Sequence, residues 1–271
     1  MKNRSDLPDI TFLDLPEITF CVFYPETASQ GPDVPGQKKA LSFPLDENVS
    51  LGAMIHLAQE AEVAPNLLFF HGNGEVVADY DEIGPLYTML GINFTVVDYR
   101  GYGTSGGNPT YSSMIKDAHI VFCQFLGFLE EAGLKGPVVV MGRSLGSASA
   151  LELAAHYPEK IFGLILESGF AHTYNLLTTL GVDPRLLDSS KEHLVSNLEK
   201  MKMFEGPVLV IHGEIDEIIP LSDGLELYQA AKNETKEMLV IRDAGHNTLM
   251  LLGLEDYMEA IGRFVGNSMT G

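Results

Sequence analysis

The sequence predicts an α/β fold, a mostly parallel twisted sheet of about eight strands with helices on both faces and a small helical cap. Two observations lead there. Short, unbroken apolar runs recur at Leu67–Phe70, Phe94–Val97, Val138–Met141, Leu164–Leu166, Val208–Ile211 and Met238–Ile241. Runs this short suit strands buried on both faces of a parallel sheet. Between them lie segments with helical spacing, roughly Asp79–Leu90, Ser112–Glu131, Ser144–His156, Leu221–Lys232 and Leu254–Val265. Strand and helix alternating at this length are the pattern of crossover units.

Two earlier segments, Ile18–Tyr24 and Lys38–Phe43, read as strands joined without helices, an antiparallel edge leading into the parallel sheet. One interval breaks the rhythm: about 40 residues separate Leu166 from Val208. It holds two helix-like pieces, Thr173–Leu180 and Ser189–Met201, around a turn at Asp183-Pro184. We expect one domain over residues 1–271, with residues 168–204 as a small cap inserted over one end of the sheet. No internal repeat, low-complexity tract or linker interrupts it.

Composition narrows the function classes. Acidic residues number 37 against 17 basic ones, for a formal net charge of −20. Such a surface repels phosphate backbones and anionic headgroups, so no nucleic-acid partner is expected. No stretch approaches the roughly 18 apolar residues of a membrane span. The N-terminal region carries Asp9, Asp14, Glu17 and several prolines instead of a signal-peptide core, and the expected location is cytoplasmic. Cys21 and Cys123 form neither a disulfide framework nor a zinc site and read as small buried hydrophobes.

The pattern G-x-S-x-G occurs twice, at Gly142-Arg143-Ser144-Leu145-Gly146 and at Gly103-Thr104-Ser105-Gly106-Gly107. A nucleophile elbow needs a strand before the serine, small neighbours around it and a helix directly after. Ser144 has all three: Val138–Met141 precedes it, glycines flank it, and Ser147-Ala148-Ser149-Ala150-Leu151 begins a helix. Ser105 lacks the helix because Asn108-Pro109 follows, so it reads as a loop serine capping a turn. The same loop, Gly101-Tyr102-Gly103-Thr104-Ser105-Gly106, also matches G-x-G-x-x-G. A dinucleotide site needs its helix to begin inside that motif, and here it does not.

A serine hydroxyl needs a base, and the base needs a carboxylate to hold its tautomer. His246 follows the last strand-like run, which puts it on the same sheet edge as Ser144. Asp216 follows Val208–Ile211 and is the favoured acid; Glu167 is the competitor, and Glu214 and Glu217 lie nearby. The oxyanion of an acyl-transfer intermediate needs fixed donors. The backbone N–H of Leu145 is one. Asn73, in the loop His71-Gly72-Asn73-Gly74, is the second through its own N–H, with Gly74 as the alternative and His71 as a brace.

These pieces, with Asp98-Tyr99-Arg100-Gly101-Tyr102-Gly103-Thr104-Ser105 and His212-Gly213-Glu214-Ile215-Asp216, resemble the α/β-hydrolase superfamily from about Leu67 to the C-terminus. The Gly-Arg-Ser-Leu-Gly elbow and the HGNG loop are similar to a small-capped branch that includes protein depalmitoylases and related esterases. The resemblance implies the α/β-hydrolase fold and hydrolysis of esters or thioesters of a small or acylated substrate, with no cofactor and no metal. Cap residues Leu176, Leu177 and Leu180 are candidates for an acyl site, with Leu186 and Leu187 nearby. Glu75 departs from the pattern by placing a carboxylate near the oxyanion region, where it would disfavour anionic substrates. Two rivals stand beside this reading: a peptidase or amidase of the same fold, and a non-catalytic binding module that kept the fold.

Overall fold

The computed structural model describes residues 7–266; the remaining eleven residues of the expected 1–271 domain lie outside that range. Eight strands form one sheet in the order β1-β2-β4-β3-β5-β6-β7-β8. They are β1 (Lys38–Pro44), β2 (Ser50–His56), β3 (Asn66–Phe70), β4 (Asn93–Val97), β5 (Val138–Arg143), β6 (Gly163–Glu167), β7 (Val208–Gly213) and β8 (Lys236–Ile241). β1 pairs antiparallel with β2, and β2 antiparallel with β4; every other pairing is parallel.

The strands bury both faces by alternation. Leu68, Phe70, Val140, Leu164, Leu166, Val208 and Val210 face one core, shared with α3 (Tyr111–Ala132), α4 (Gly146–His156) and α7 (Leu221–Ala230). Leu67, Phe69, Val139, Met141, Ile165, Leu209 and Ile211 face the other, covered by α2 (Gly84–Met89) and α8 (Leu249–Gly266). This period of two inside unbroken apolar runs is what a doubly covered parallel sheet requires.

The N-terminal expectation needs correction. Residues 18–24 do not form a strand; Pro16–Val22 is a helix, α1. Its β-branched residues suggest a strand, but Pro16 opens the first turn with Glu17 beside it, and the buried Ile18 and Val22 stand four apart on one helical face. The edge is still antiparallel, because β2 supplies the partner that β1 needs. The two cysteines also depart from expectation, Cys123 being exposed and Cys21 only half-buried.

Between β6 and β7 run α5 (Thr173–Thr179), short 3-10 turns at Pro184–Leu186 and Ser189–Leu194, and α6 (Asn197–Met201). α5 packs on α1, and α6 on α4 and α7. The sheet winds outward in both directions from β3, which lies between β4 and β5. That reversal opens a crevice at the C-terminal strand ends, where ligands bind open α/β sheets. The loops after β3 and β5 meet there.

Asn93 ties the strand entries together at the opposite edge. Its buried amide accepts from the Ala58 N–H at 3.0 Å and donates to Ala61 O at 2.8 Å and to Asn66 Oδ1 at 3.0 Å. Asn93→Leu strands these partners in a dry site, and we expect a loss of about 1–3 kcal/mol in urea unfolding. A change below about 0.5 kcal/mol would contradict this account.

Candidate active site

Ser144 directly follows β5 and precedes α4, and its backbone stands at φ 50°, in the left-handed region. A non-glycine residue held there costs on the order of 1–3 kcal/mol. The turn is fixed by packing. A Cβ on Gly146 would lie 2.1 Å from the Phe70 carbonyl, and one on Gly142 would lie 2.4 Å from the Gly146 carbonyl. The Ser144 N–H donates to Glu167 O at 2.9 Å, tying the turn to the end of β6.

His246 reaches this serine from the loop after β8. Its Nε2 lies 2.9 Å from Ser144 Oγ, and its Nδ1 lies 2.8 Å from Asp216 Oδ2. Asp216 sits in the turn after β7, where its other oxygen accepts from the N–H groups of Ile218 at 3.0 Å and Ile219 at 2.8 Å. All three side chains are buried. Burial pushes the Asp216 carboxyl up, but the hydrogen bond and charge of His246 with the two backbone donors outweigh it, and the carboxyl is held below its ordinary range.

The other carboxylates are spoken for. Glu214 accepts from the Asp243 N–H, Glu217 from the His246 backbone N–H, and Glu167 pairs with Arg143 and Tyr257. None of the three is hydrogen-bonded to the His246 ring. His212 bonds the Ile219 carbonyl at 2.8 Å, and burial lowers its basicity. Ser105 accepts from the Gly52 N–H at 2.9 Å, tying its loop to β2 instead of capping a turn.

A cavity of about 210 Å³ opens beside Ser144, lined by Val22, Tyr24, Asn73, Leu145, Leu176, Leu180, Ile218 and the histidine loop. Asn73 is clamped by its side chain, which donates to Val22 O at 2.7 Å and accepts from Tyr102 at 2.7 Å. Among the described residues, the backbone N–H groups of Asn73 and Leu145 make no hydrogen bond. His71, fully buried, contacts Gly72 O and Asp98, which suits a brace. Of the candidate leucines, Leu176 and Leu180 line the cavity. Leu177 does not; it is fully buried in the core, and Leu186 and Leu187 also lie elsewhere.

Sequence reasoning missed Val22, Tyr24, Ile218 and Arg143. The first two arrive from an N-terminal segment that carries no motif. Glu75 also differs from expectation: it turns inward, pairing with Arg143 at 2.6 Å and accepting from the Gly72 N–H and Tyr80 hydroxyl at 2.7 Å each. Its charge is thus neutralised within the protein and does not face an incoming substrate. Away from the cavity, His119, Glu152 and His156 bring ligand-type atoms within 4.8 Å of one another. Lys200 lies 2.9 Å from Glu152 and already balances its charge, so the cluster is accounted for as a network tying α3, α4 and α6.

Residues 61–178 match the family model described as "Serine aminopeptidase, S33". The human alpha/beta hydrolase domain-containing protein 17B is 31% identical over 211 residues, 75% of this chain and 67% of that protein. Among solved structures, the Pyrococcus furiosus esterase Pf2001 superposes with a TM-score of 0.71 at 18% identity, covering 90% of this chain and 98% of that one. Est1E from Butyrivibrio proteoclasticus, bound to ferulic acid, gives 0.72 at 20% identity, covering 86% and 100%. The family and sequence matches define an enzyme of the hydrolase class, and the structural ones its fold. The chain belongs to the α/β-hydrolase superfamily.

Because the native Asp216 carboxyl lies below its ordinary value, its stabilising contribution is present above about pH 4 and is lost as pH falls through the lower native value. We therefore expect the urea midpoints of the wild type and Asp216→Asn to differ most near neutrality and to converge in acid. A gap that stays constant down to acid pH would contradict the assignment.

Proposed function

We propose that the protein is a serine hydrolase that cleaves carboxylic esters or thioesters through Ser144, His246 and Asp216. The observation that carries this reading is the unbroken chain from Ser144 Oγ through the imidazole to Asp216, at 2.9 and 2.8 Å. It begins at a serine held in a strained backbone conformation, and such strain persists only where the surroundings enforce it.

In the first step Ser144 Oγ bonds to the carbonyl carbon while His246 Nε2 takes its proton. Asp216 keeps the proton on Nδ1 and stabilises the imidazolium. The carbonyl electrons move onto oxygen, toward the N–H groups of Leu145 and Asn73, which line the cavity without another partner among the described residues. The bond to the alcohol or thiol then breaks, and His246 returns the proton to that leaving group. Water, deprotonated by His246, repeats the sequence and frees the acid from Ser144.

The apolar wall of Val22, Leu145, Leu176, Leu180 and Ile218 suits an acyl group. At about 210 Å³ the cavity is smaller than the roughly 300–1,000 Å³ of drug-sized pockets, which favours a short acyl chain. We assign residues 168–204 as the cap, with α5 supplying Leu176 and the residue that caps its C-terminus, Leu180, beside it. The family description favours a second reading, an aminopeptidase. Such an enzyme needs a carboxylate for the substrate ammonium, and among the described residues no aspartate or glutamate lines this cavity. Ester chemistry fits better.

Ser144→Ala is expected to lower hydrolysis of p-nitrophenyl acetate by at least about 10³-fold and to abolish fluorophosphonate labelling. Retained activity in the folded variant would remove Ser144 from the mechanism. Leu180→Ala is expected to shift kcat/KM in an ester series toward longer chains, by up to about 4-fold per added methylene. An unchanged length profile would take Leu180 out of the acyl site.

A further inference from the structure

We infer that Arg143, the residue before the nucleophile, is a positioning residue that locks the base loop and the oxyanion loop onto one sheet edge; the inference rests on the reading of Ser144 and His246 above. Within the sequence motif Arg143 occupies a position that any residue can fill. The structure gives it a specific task. Its guanidinium, on a side chain only 11% exposed, spreads its donors over the end of β6 and two loops. Nε donates to Glu167 Oε1 at 3.0 Å, at the end of β6; Nη1 pairs with Glu75 Oε1 at 2.6 Å, after β3. Nη2 donates to the His246 carbonyl at 3.1 Å and to Asn247 Oδ1 at 2.9 Å, after β8.

A buried arginine placed only for charge balance would be satisfied by its two carboxylates. This one also holds the backbone of the residue whose ring accepts the serine proton. Through Glu75 it reaches the other side of the site, because Glu75 Oε2 accepts from the Gly72 N–H, one residue before Asn73. Gly72 leaves the room this requires, since a Cβ there would lie 2.7 Å from Arg143 Nη1. The arrangement needs a planar fork whose donors point in fixed, separate directions. A lysine brings the same charge as a single point and cannot span the strand end and both loops.

The charges support this geometry. Burial works against the Arg143 cation, but Glu167 and Glu75 outweigh it and hold the guanidinium protonated. Burial likewise raises the Glu75 carboxyl, yet the charges of Arg143 and His71 with the Tyr80 and Gly72 hydrogen bonds bring it below its ordinary value. Arg143 and Glu75 thus favour each other's charged forms, whereas burial raises the Glu167 carboxyl despite the Arg143 charge.

The test compares Arg143→Lys and Arg143→Met with Ser144→Ala in steady-state hydrolysis of p-nitrophenyl acetate, each rate expressed per folded molecule from circular dichroism. A displacement near 1 Å at a reacting group costs up to about 10²-fold in rate, so kcat is expected to fall by that order in both Arg143 variants while KM stays within about 2-fold. Failure of the charge-conserving lysine to restore kcat is part of the expected result. Three outcomes overturn the inference: kcat per folded molecule within about 2-fold of wild type, a raised KM with unchanged kcat, or full rescue by lysine. If neither Arg143 variant folds, Glu75→Gln carries the test, since it weakens one strut while keeping the shape; a loss of kcat at constant KM supports the inference and an unchanged kcat overturns it. Hydrolysis that survives in Ser144→Ala removes the nucleophile assignment itself, whereas an inactive Ser144→Ala beside a fully active Arg143→Lys removes only the role of Arg143.

Discussion

The structure depends most on the turn that carries Ser144. β5 runs into α4 with one residue between them held at positive φ and with glycines where the chain crosses itself. Neither the Phe70 nor the Gly146 carbonyl leaves space for a side chain at those crossings. The strain raises the free energy of the fold locally, and dense packing of β5 against β3 and β6 holds it in place. In return the hydroxyl stands clear of the sheet, at an edge where three other loops can approach it. Every other feature of the site is an answer to where that hydroxyl points.

The topology makes those approaches possible. Parallel strands end at one edge, so the residues after β3, β5, β7 and β8 share a surface however far apart they lie in the chain. Ser144 and His246 are 102 residues apart and still hydrogen-bonded. The sheet reverses its winding at β3, which places the Asn73 loop directly beside the serine turn. Arg143 then fastens loops that the topology only brings near.

Much of this was legible because it rests on local chemistry. The apolar runs marked β3 to β8, and the glycines and the helix after Ser144 marked the turn. The order of serine, aspartate and histidine, each behind a strand, points to one sheet edge from the sequence alone. The break in α8 at Gly253 falls where the periodic pattern starts at Leu254. What was missed depends on long-range contact. α1 is rich in β-branched residues that outweigh the local signal of Pro16, and its packing on α5 brings the end of the helix to the cavity. Glu75 looked like an obstacle because nothing local reveals that Arg143, far along the chain, neutralises it. Leu177 shares its spacing with Leu176 and Leu180 but turns into the core, a matter of one helical step.

The central claim is that Ser144 carries the acyl group between the two steps. Acid quenching of the enzyme during turnover of p-nitrophenyl acetate, followed by proteolysis and mass spectrometry, tests it directly. The account predicts one added acetyl mass, confined to the peptide containing Ser144 and located on that residue. An acetyl group on any other side chain with Ser144 unmodified, in enzyme that is turning over, would contradict it.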